Sequence, residues 1–228
     1  MNPGSDSGAA ELRREHLSAL DALRHAKNMA FWLAVMAIVV HLATWYAVRH
    51  TTLLDARSAD GATTATAGST AGASAAAAAR MWELRLSSAL DVAGFVGRAS
   101  IVLALGLYIL SLLVSLSARL GGAAGMAQAC VWALLALALL VPWDRMTPDE
   151  VSNLPSAFYG MDDVLRAGLD SGAAGGTISH AWSASDVIRF AAYPLVILML
   201  VVVAQLAYRA GYQRAAGSPA VRLPMREV

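Results

Sequence analysis

Residues 120–143 have the sequence LGGAAGMAQACVWALLALALLVPW, which contains no Asp, Glu, Lys or Arg. A helix rises ~1.5 Å per residue, so about 20 such residues cover the roughly 30 Å hydrocarbon core of a bilayer. Three more charge-free stretches of similar length occur at residues 28–48, 99–118 and 190–208. The sequence therefore predicts four membrane-spanning helices.

The overall composition agrees with an integral membrane protein. Of the 228 residues, 57% are hydrophobic and 14% are charged, whereas about a quarter are charged in a typical soluble domain. We expect an all-α, integral membrane four-helix bundle with short amphipathic helices in the N-terminus and the exported loops. The net charge of +1 gives no reason to expect nucleic acid as a partner. The expected partners are the lipid bilayer and other membrane proteins or a second copy of the chain.

The predicted boundaries follow the apolar stretches and the polar segments between them. A loop rich in Ala, Thr, Gly and Ser buries too little apolar area to offset the entropy of ordering, so we expect it to be flexible. The predicted segments are a tail with an amphipathic helix (1–27), span one (28–48), an exported loop (49–96, flexible over 51–74 and helical over 75–96), span two (97–117), a turn (118–121), span three (122–143), an exported acidic loop with short helices (144–186), span four (187–208) and a second tail (209–228). The helix of the first tail is expected on the membrane surface, and its alternative is a continuation of span one as one long helix.

Two stretches have the spacing of a capping box, in which an acidic residue follows three positions after a capping Ser or Thr. Thr147 with Glu150 predicts a helix start in the acidic loop, and Ser183 with Asp186 predicts the start of the last helix.

The distribution of basic residues predicts the orientation. Cytoplasmic segments near membrane spans carry an excess of Lys and Arg. The two predicted tails and the short turn hold nine of the 17 basic residues in much less chain than the two long loops. These nine are Arg13, Arg14, Arg24, Lys27, Arg119, Arg209, Arg214, Arg222 and Arg226. We therefore expect both termini in the cytoplasm. The codons of Arg and Ala are rich in G and C, so the abundance of these residues is typical of a GC-rich bacterial genome, and we expect the membrane to be a bacterial inner membrane.

Small and polar residues predict where the helices touch. The turn at 118–121 is so short that spans two and three must be antiparallel neighbours. One face of span two is rich in small and polar residues: Ala93, Gly97, Ser100, Ala104, Tyr108, Ser111 and Ser115. Gly121 and Gly125 begin a similar stripe on span three. Small residues allow membrane helices to approach closely. We expect the two stripes to face each other, with Gln128 hydrogen-bonded to Ser111 or Tyr108.

Two further residues in the spans could carry function. His41 is the deepest ionisable group, and an interhelical hydrogen bond is its expected role; haem ligation and proton relay are the alternatives, although no second histidine lies in a span. Pro194 lacks an N–H group, so it leaves the carbonyl of Phe190 without its helical donor and can kink span four. Transporters use such interruptions around binding sites, but prolines near helix ends are also common.

No sequence motif points to catalysis. The single cysteine excludes a CxxC pair, and HExxH, GxxxxGK[ST] and GxGxxG are absent. We expect no catalytic residue, metal or cofactor, and hence no enzyme. The predicted function is a non-catalytic accessory or scaffold component of a membrane complex. The alternative is a small membrane transporter or channel, either as a single chain or as a homo-oligomer, in which His41 and Pro194 lie along the transport path.

Overall fold

The fold consists of helices throughout the residues that the computed structural model describes, which are 4–50, 70–141, 158–173 and 183–217. These ranges contain no strand. In chain order the helices are α1 (Gly4–His50), α2 (Thr70–Ser117), α3 (Ala123–Leu140), α4 (Met161–Ala173), α5 (Ala184–Val187) and, after a π-helical turn (Ile188–Ala192), α6 (Tyr193–Gly217). The predicted all-α class is confirmed.

Four helical segments of the described chain are long and apolar enough to cross a membrane. They are Arg14–His50, Arg80–Ser117, Ala123–Leu140 and Ala184–Gly217. Each includes most or all of one predicted span, so the prediction of an integral membrane protein with four apolar helices is confirmed at this level.

The N-terminal segment continues into span one without a break, which is the alternative to the separate surface helix that the sequence slightly favours. Residues 4–50 form one continuous helix, because no Pro or Gly interrupts the chain between Ala9 and His50. The segment predicted to lead as a helix into span two lies within α2, which begins at Thr70. The predicted flexible loop (51–74) lies outside the described residues up to position 69, and its end at 70–74 is corrected to the first part of α2.

A tight turn connects α2 and α3. Arg119 has a φ angle of 50° and Gly122 one of 91°, and such left-handed residues commonly end a helix. The backbone N–H of Leu120 donates to the carbonyl of Ser115 at 2.9 Å. This bond satisfies one of the carbonyls left free at the end of α2.

The last long helix begins with a capping box and a π-helical turn. Ser183 accepts a hydrogen bond from the backbone N–H of Asp186, whose carboxylate in turn accepts from the backbone N–H of Ser183. This cap confirms the one that the sequence predicts. An earlier helix start, predicted at Thr147, lies outside the described residues.

The chain divides into two compact units, each with its own core. The first comprises Met1–Trp32, Ser100–Ala138 and Met199–Val228. Its core contains buried side chains from α1, α2, α3 and α6: Leu20, Leu105, Tyr108, Met126, Ala129, Cys130, Ala133, Ala204, Tyr208 and Ala215. Most of those on α3 and α6 are small, which allows the backbones of these helices to come close.

The second unit comprises Leu33–Ala99 and Leu139–Leu198. Its core is richer in large side chains: Trp45, Val48, Leu90, Tyr159, Met161, Val164, Leu165 and Phe190. Tyr159, Met161, Val164 and Leu165 come from α4 and the residues just before it. Residues 159–165 are therefore part of a packed core.

Candidate functional site

A buried lysine lies at the centre of the polar groups in the first unit. The side chain of Lys27 is fully buried, and its Nζ donates to Oε1 of Gln205 at 2.6 Å. The ammonium also lies 3.9 Å from the centre of the Tyr208 ring, where the negative face of the ring attracts a cation. An amide oxygen and an aromatic face thus replace part of its hydration shell.

Gln205 connects three helices through its side-chain amide. Its Nε2 donates to Oδ1 of Asn28 on α1 at 2.9 Å, and its Oε1 accepts from the hydroxyl of Tyr108 on α2 at 3.4 Å. Nearby, the Tyr208 hydroxyl donates to Oγ of Ser111 at 3.1 Å. Tyr108 and Ser111, both singled out from the sequence, therefore bond to residues of α6.

The predicted hydrogen bond from Gln128 to Ser111 or Tyr108 is wrong. Gln128 is exposed; the amide that accepts from Tyr108 is that of Gln205, and Ser111 accepts from Tyr208. Gly125 lies at one edge of the buried face of α3, with Ala129 and Ala133 following it around the helix. At ~100° per residue, Ala129 and Ala133 lie to one side of Gly125 around the helix axis. Gln128 lies about 60° to the opposite side of Gly125, away from the buried face.

The glycines of α3 and of the turn before it face α6 at close range. A Cβ placed on Gly125 would lie 2.8 Å from Cα of Gly211, closer than carbon atoms pack in proteins. Conversely, a Cβ on Gly211 would lie 2.8 Å from the carbonyl oxygen of Gly122. The sequence predicts that the stripe beginning at Gly121 and Gly125 meets α2. This prediction is wrong at Gly125, which contacts α6.

A pocket of about 300 Å³ opens beside Lys27 in the first unit. Three of its lining side chains are basic, those of Arg24, Lys27 and Arg209. The other lining residues are Asn28, Tyr208, Tyr212 and Gln213. Asp21 lies next to it, 3.7 Å from Arg24, and accepts a hydrogen bond from the Tyr212 hydroxyl at 3.3 Å. The pocket therefore has an excess of positive charge.

The imidazole of His41 is buried in the second unit but forms no hydrogen bond to another helix among the described residues. Its Nδ1 donates to the carbonyl of Ala37 on its own helix at 2.9 Å, and its Nε2 has no hydrogen-bond partner. The rings of Phe158 and Tyr159 lie edge-on to the imidazole at 4.8 and 5.3 Å between centroids. The expected interhelical bond is thus replaced by a bond within α1 and aromatic packing.

Tyr159 lies beside the backbone carbonyls of His41 and Phe190. Its hydroxyl donates to the carbonyl of His41 at 2.7 Å and has a longer contact, 3.4 Å, with that of Phe190. Burial raises the pKa of Tyr159 above its ordinary value of about 10, so the hydroxyl stays protonated at neutral pH. Pro194 itself is buried, two residues after the end of the π-helical turn at Ala192.

Comparison with protein families, characterised proteins and solved structures finds no match. The arguments about function therefore rest on this chain's own residues. Within the described ranges, no group of three or more His, Cys, Asp or Glu side chains is arranged to hold a metal ion.

Replacing Tyr159 by Phe tests the role of its hydroxyl. The ring would remain in the core while the donor to the carbonyls of His41 and Phe190 is lost. A net hydrogen bond contributes about 1 kcal/mol, so we expect the melting temperature in detergent to fall by roughly 2–4 °C. Tyr46→Phe is the control, because Tyr46 is exposed. An unchanged melting temperature for Tyr159→Phe would contradict this role.

Sequence patterns left several of these residues without an assigned role. Lys27 was counted only among the charges that set orientation, and Tyr159 lies in a loop without helical periodicity. One pattern could have found Lys27: α1 has a fully or almost fully buried residue at every seventh position, namely Leu20, Lys27, Ala34, His41 and Val48. A lysine in such a series is expected to face the protein core.

Proposed function

We propose that this four-span membrane protein is a non-catalytic accessory or scaffold component of a membrane complex, and that it meets its neighbour through the exposed face of α3. The observation that carries the proposal is the exposed amide of Gln128 in an otherwise apolar helix. The same face presents Val131 and Leu135, which are 61% and 44% exposed.

Gln128 lies five residues, or ~7.5 Å, from the first residue of α3. An amide facing hydrocarbon without a partner is costly, whereas Gln side chains hydrogen-bond across membrane helices when helices associate. The exposed position therefore favours a partner helix at this face over lipid alone.

A second copy of the chain is the partner that fits this face most simply. A primary amide carries both donors and an acceptor, so two Gln128 side chains related by a two-fold axis can satisfy each other. The apolar side chains one and two turns further along would pack on either side of this pair.

Disulfide crosslinking in native membranes tests the proposed contact. In a Cys130→Ser background we expect single cysteines at Gln128, Val131 and Leu135 to give covalent dimers on mild oxidation. A cysteine at Leu103, which is exposed on α2, should give none. Gln128→Leu should lower the crosslinked fraction at position 131 several-fold. Equal crosslinking at positions 103 and 128 would reject the contact.

The orientation and location belong to the same proposal. The basic residues of both tails and of the turn at Arg119 support cytoplasmic termini, and the Arg-rich and Ala-rich composition supports a bacterial inner membrane. In this orientation Gln128, close to the Arg119 turn, would lie in the cytoplasmic half of the bilayer.

A small transporter or channel is the second candidate function. The observation that favours it is the π-helical turn at Ile188–Ala192, which ends two residues before Pro194, since such turns are frequent at functional sites. His41 Nε2, buried without a hydrogen-bond partner in the described chain, adds a group that could carry a proton. Flux of an ion or solute into proteoliposomes that Pro194→Ala and His41→Ala both alter would favour this function over the scaffold.

A further inference from the structure

The pocket beside Lys27 has cations but lacks the anions that would balance them. Arg24, Lys27 and Arg209 line it, and no Asp or Glu does. Asp21, beside the pocket, lies 3.7 Å from Arg24 and so offsets one of the three charges. Within the described residues, neither Lys27 nor Arg209 forms an ion pair with a carboxylate.

Lys27 is the group for which this imbalance matters most. An ammonium has three N–H donors, and only one of them has a hydrogen-bond acceptor in the described chain, Oε1 of Gln205. The side chain is fully buried, and removing a cation from water is costly unless an anion accompanies it. The arrangement thus favours a negative group from outside these residues.

The lining indicates the chemistry of that group. Two guanidinium groups and an ammonium are the side chains that bind phosphate oxygens most strongly, and the amides of Asn28 and Gln213 add neutral donors. The volume of about 300 Å³, compared with ~30 Å³ per water molecule in the liquid, accommodates a phosphate together with a small organic group attached to it.

The position of the pocket places it near the membrane surface. Lys27 directly precedes the first apolar stretch, and Tyr208 is the last residue of the fourth. Lipid headgroup phosphates lie at the ends of membrane spans, and basic pockets between membrane helices bind anionic headgroups.

We propose that this pocket is a binding site for a phosphate group, supplied by an anionic phospholipid or by a soluble phosphate compound at the membrane surface. The phosphate oxygens accept from the exposed guanidinium groups of Arg24 and Arg209, and the Lys27 ammonium, buried in the wall of the pocket, adds its positive charge. This inference is independent of the proposed association at α3.

Binding to the delipidated, full-length protein in detergent tests the site. Native mass spectrometry would measure the affinity for phosphatidylglycerol and phosphatidylcholine, and the displacement of phosphatidylglycerol by inorganic phosphate at constant ionic strength. We expect tighter binding of phosphatidylglycerol, weakened about tenfold by Arg209→Gln. Arg214→Gln is the matched control, because Arg214 is an exposed arginine of α6 outside the pocket.

A second variant separates binding from folding. Lys27→Met keeps the length of the side chain and removes a buried charge that has no carboxylate partner in the described chain. We expect the variant to fold and its preference for phosphatidylglycerol over phosphatidylcholine to fall at least tenfold. If the site binds soluble phosphate, the protein should bind the two lipids with equal affinity. It should also bind inorganic phosphate, and Arg209→Gln should weaken that binding. If neither lipid nor phosphate binding responds to Arg209→Gln or Lys27→Met, the proposal is overturned.

Discussion

Gly125→Leu is expected to lower the melting temperature of the detergent-solubilised protein by about 10 °C, the largest effect among the substitutions considered. A Cβ at this position would lie 2.8 Å from Cα and 2.9 Å from the backbone nitrogen of Gly211. Backbone atoms cannot move aside as the end of a flexible side chain can, so α3 and α6 must separate. Such overpacking costs about 3 kcal/mol or more.

Gly106→Leu is the matched control for this substitution. Gly106 also lies in an apolar helix, but nothing lies within 4 Å of a Cβ built on it. Leucine there should leave the melting temperature unchanged or raise it slightly, because glycine is a poor helix former. Gly125→Ala should give a smaller loss than Gly125→Leu. If the leucine variants at 125 and 106 melt alike, the close approach of the two backbones is wrong.

Gln205→Leu should have the second largest effect, a loss of about 2 kcal/mol and roughly 4–8 °C in melting temperature. The substitution removes the hydrogen-bond acceptor of the Lys27 ammonium and of the Tyr108 hydroxyl, and the donor to Asn28. A buried polar group that loses its partner costs more than the net value of the bond, above all when it is charged.

Two substitutions serve as controls for Gln205→Leu. Gln128→Leu makes the same chemical change on the exposed face of α3 and should leave thermal unfolding of the protomer unaltered. Gln205→Glu keeps an oxygen acceptor for Lys27 and adds a negative charge beside it, so it should be more stable than Gln205→Leu. A severe loss for Gln128→Leu with a silent Gln205→Leu would restore the original assignment of Gln128.

The features that the sequence predicts correctly are those that depend on local composition. Four charge-free stretches predict the four apolar helices, because the length and hydropathy of a segment are properties of that segment alone. The Ser183 cap is likewise a local pattern. The face of α2 that includes Tyr108 and Ser111 is buried or half-buried at each predicted position, namely Ala93, Gly97, Ser100, Ala104, Tyr108, Ser111 and Ser115.

The features that could not be predicted depend on which helices are neighbours. The glycine stripe of α3 indicates a close approach, but Gly125 meets α6 because the small residue that complements it is Gly211, 86 positions later in the chain. Gln128 and Gln205 are chemically identical, and only the arrangement of the helices decides which of them reaches Tyr108. The hydrogen bond of Tyr159 to the His41 carbonyl joins a loop to a helix 118 residues away, a contact without sequence periodicity.

The glycines at the contact between α3 and α6 also restrict how these two helices can move. A piston-like shift of α6 by one turn, ~5.4 Å, would bring Ala207 or Ala215 to the place of Gly211. Either methyl group would then meet the backbone at Gly122 and Gly125, where a Cβ has no room. Axial sliding between these helices is therefore blocked in both directions, and α3 and α6 must tilt or rotate together in any motion that preserves this contact.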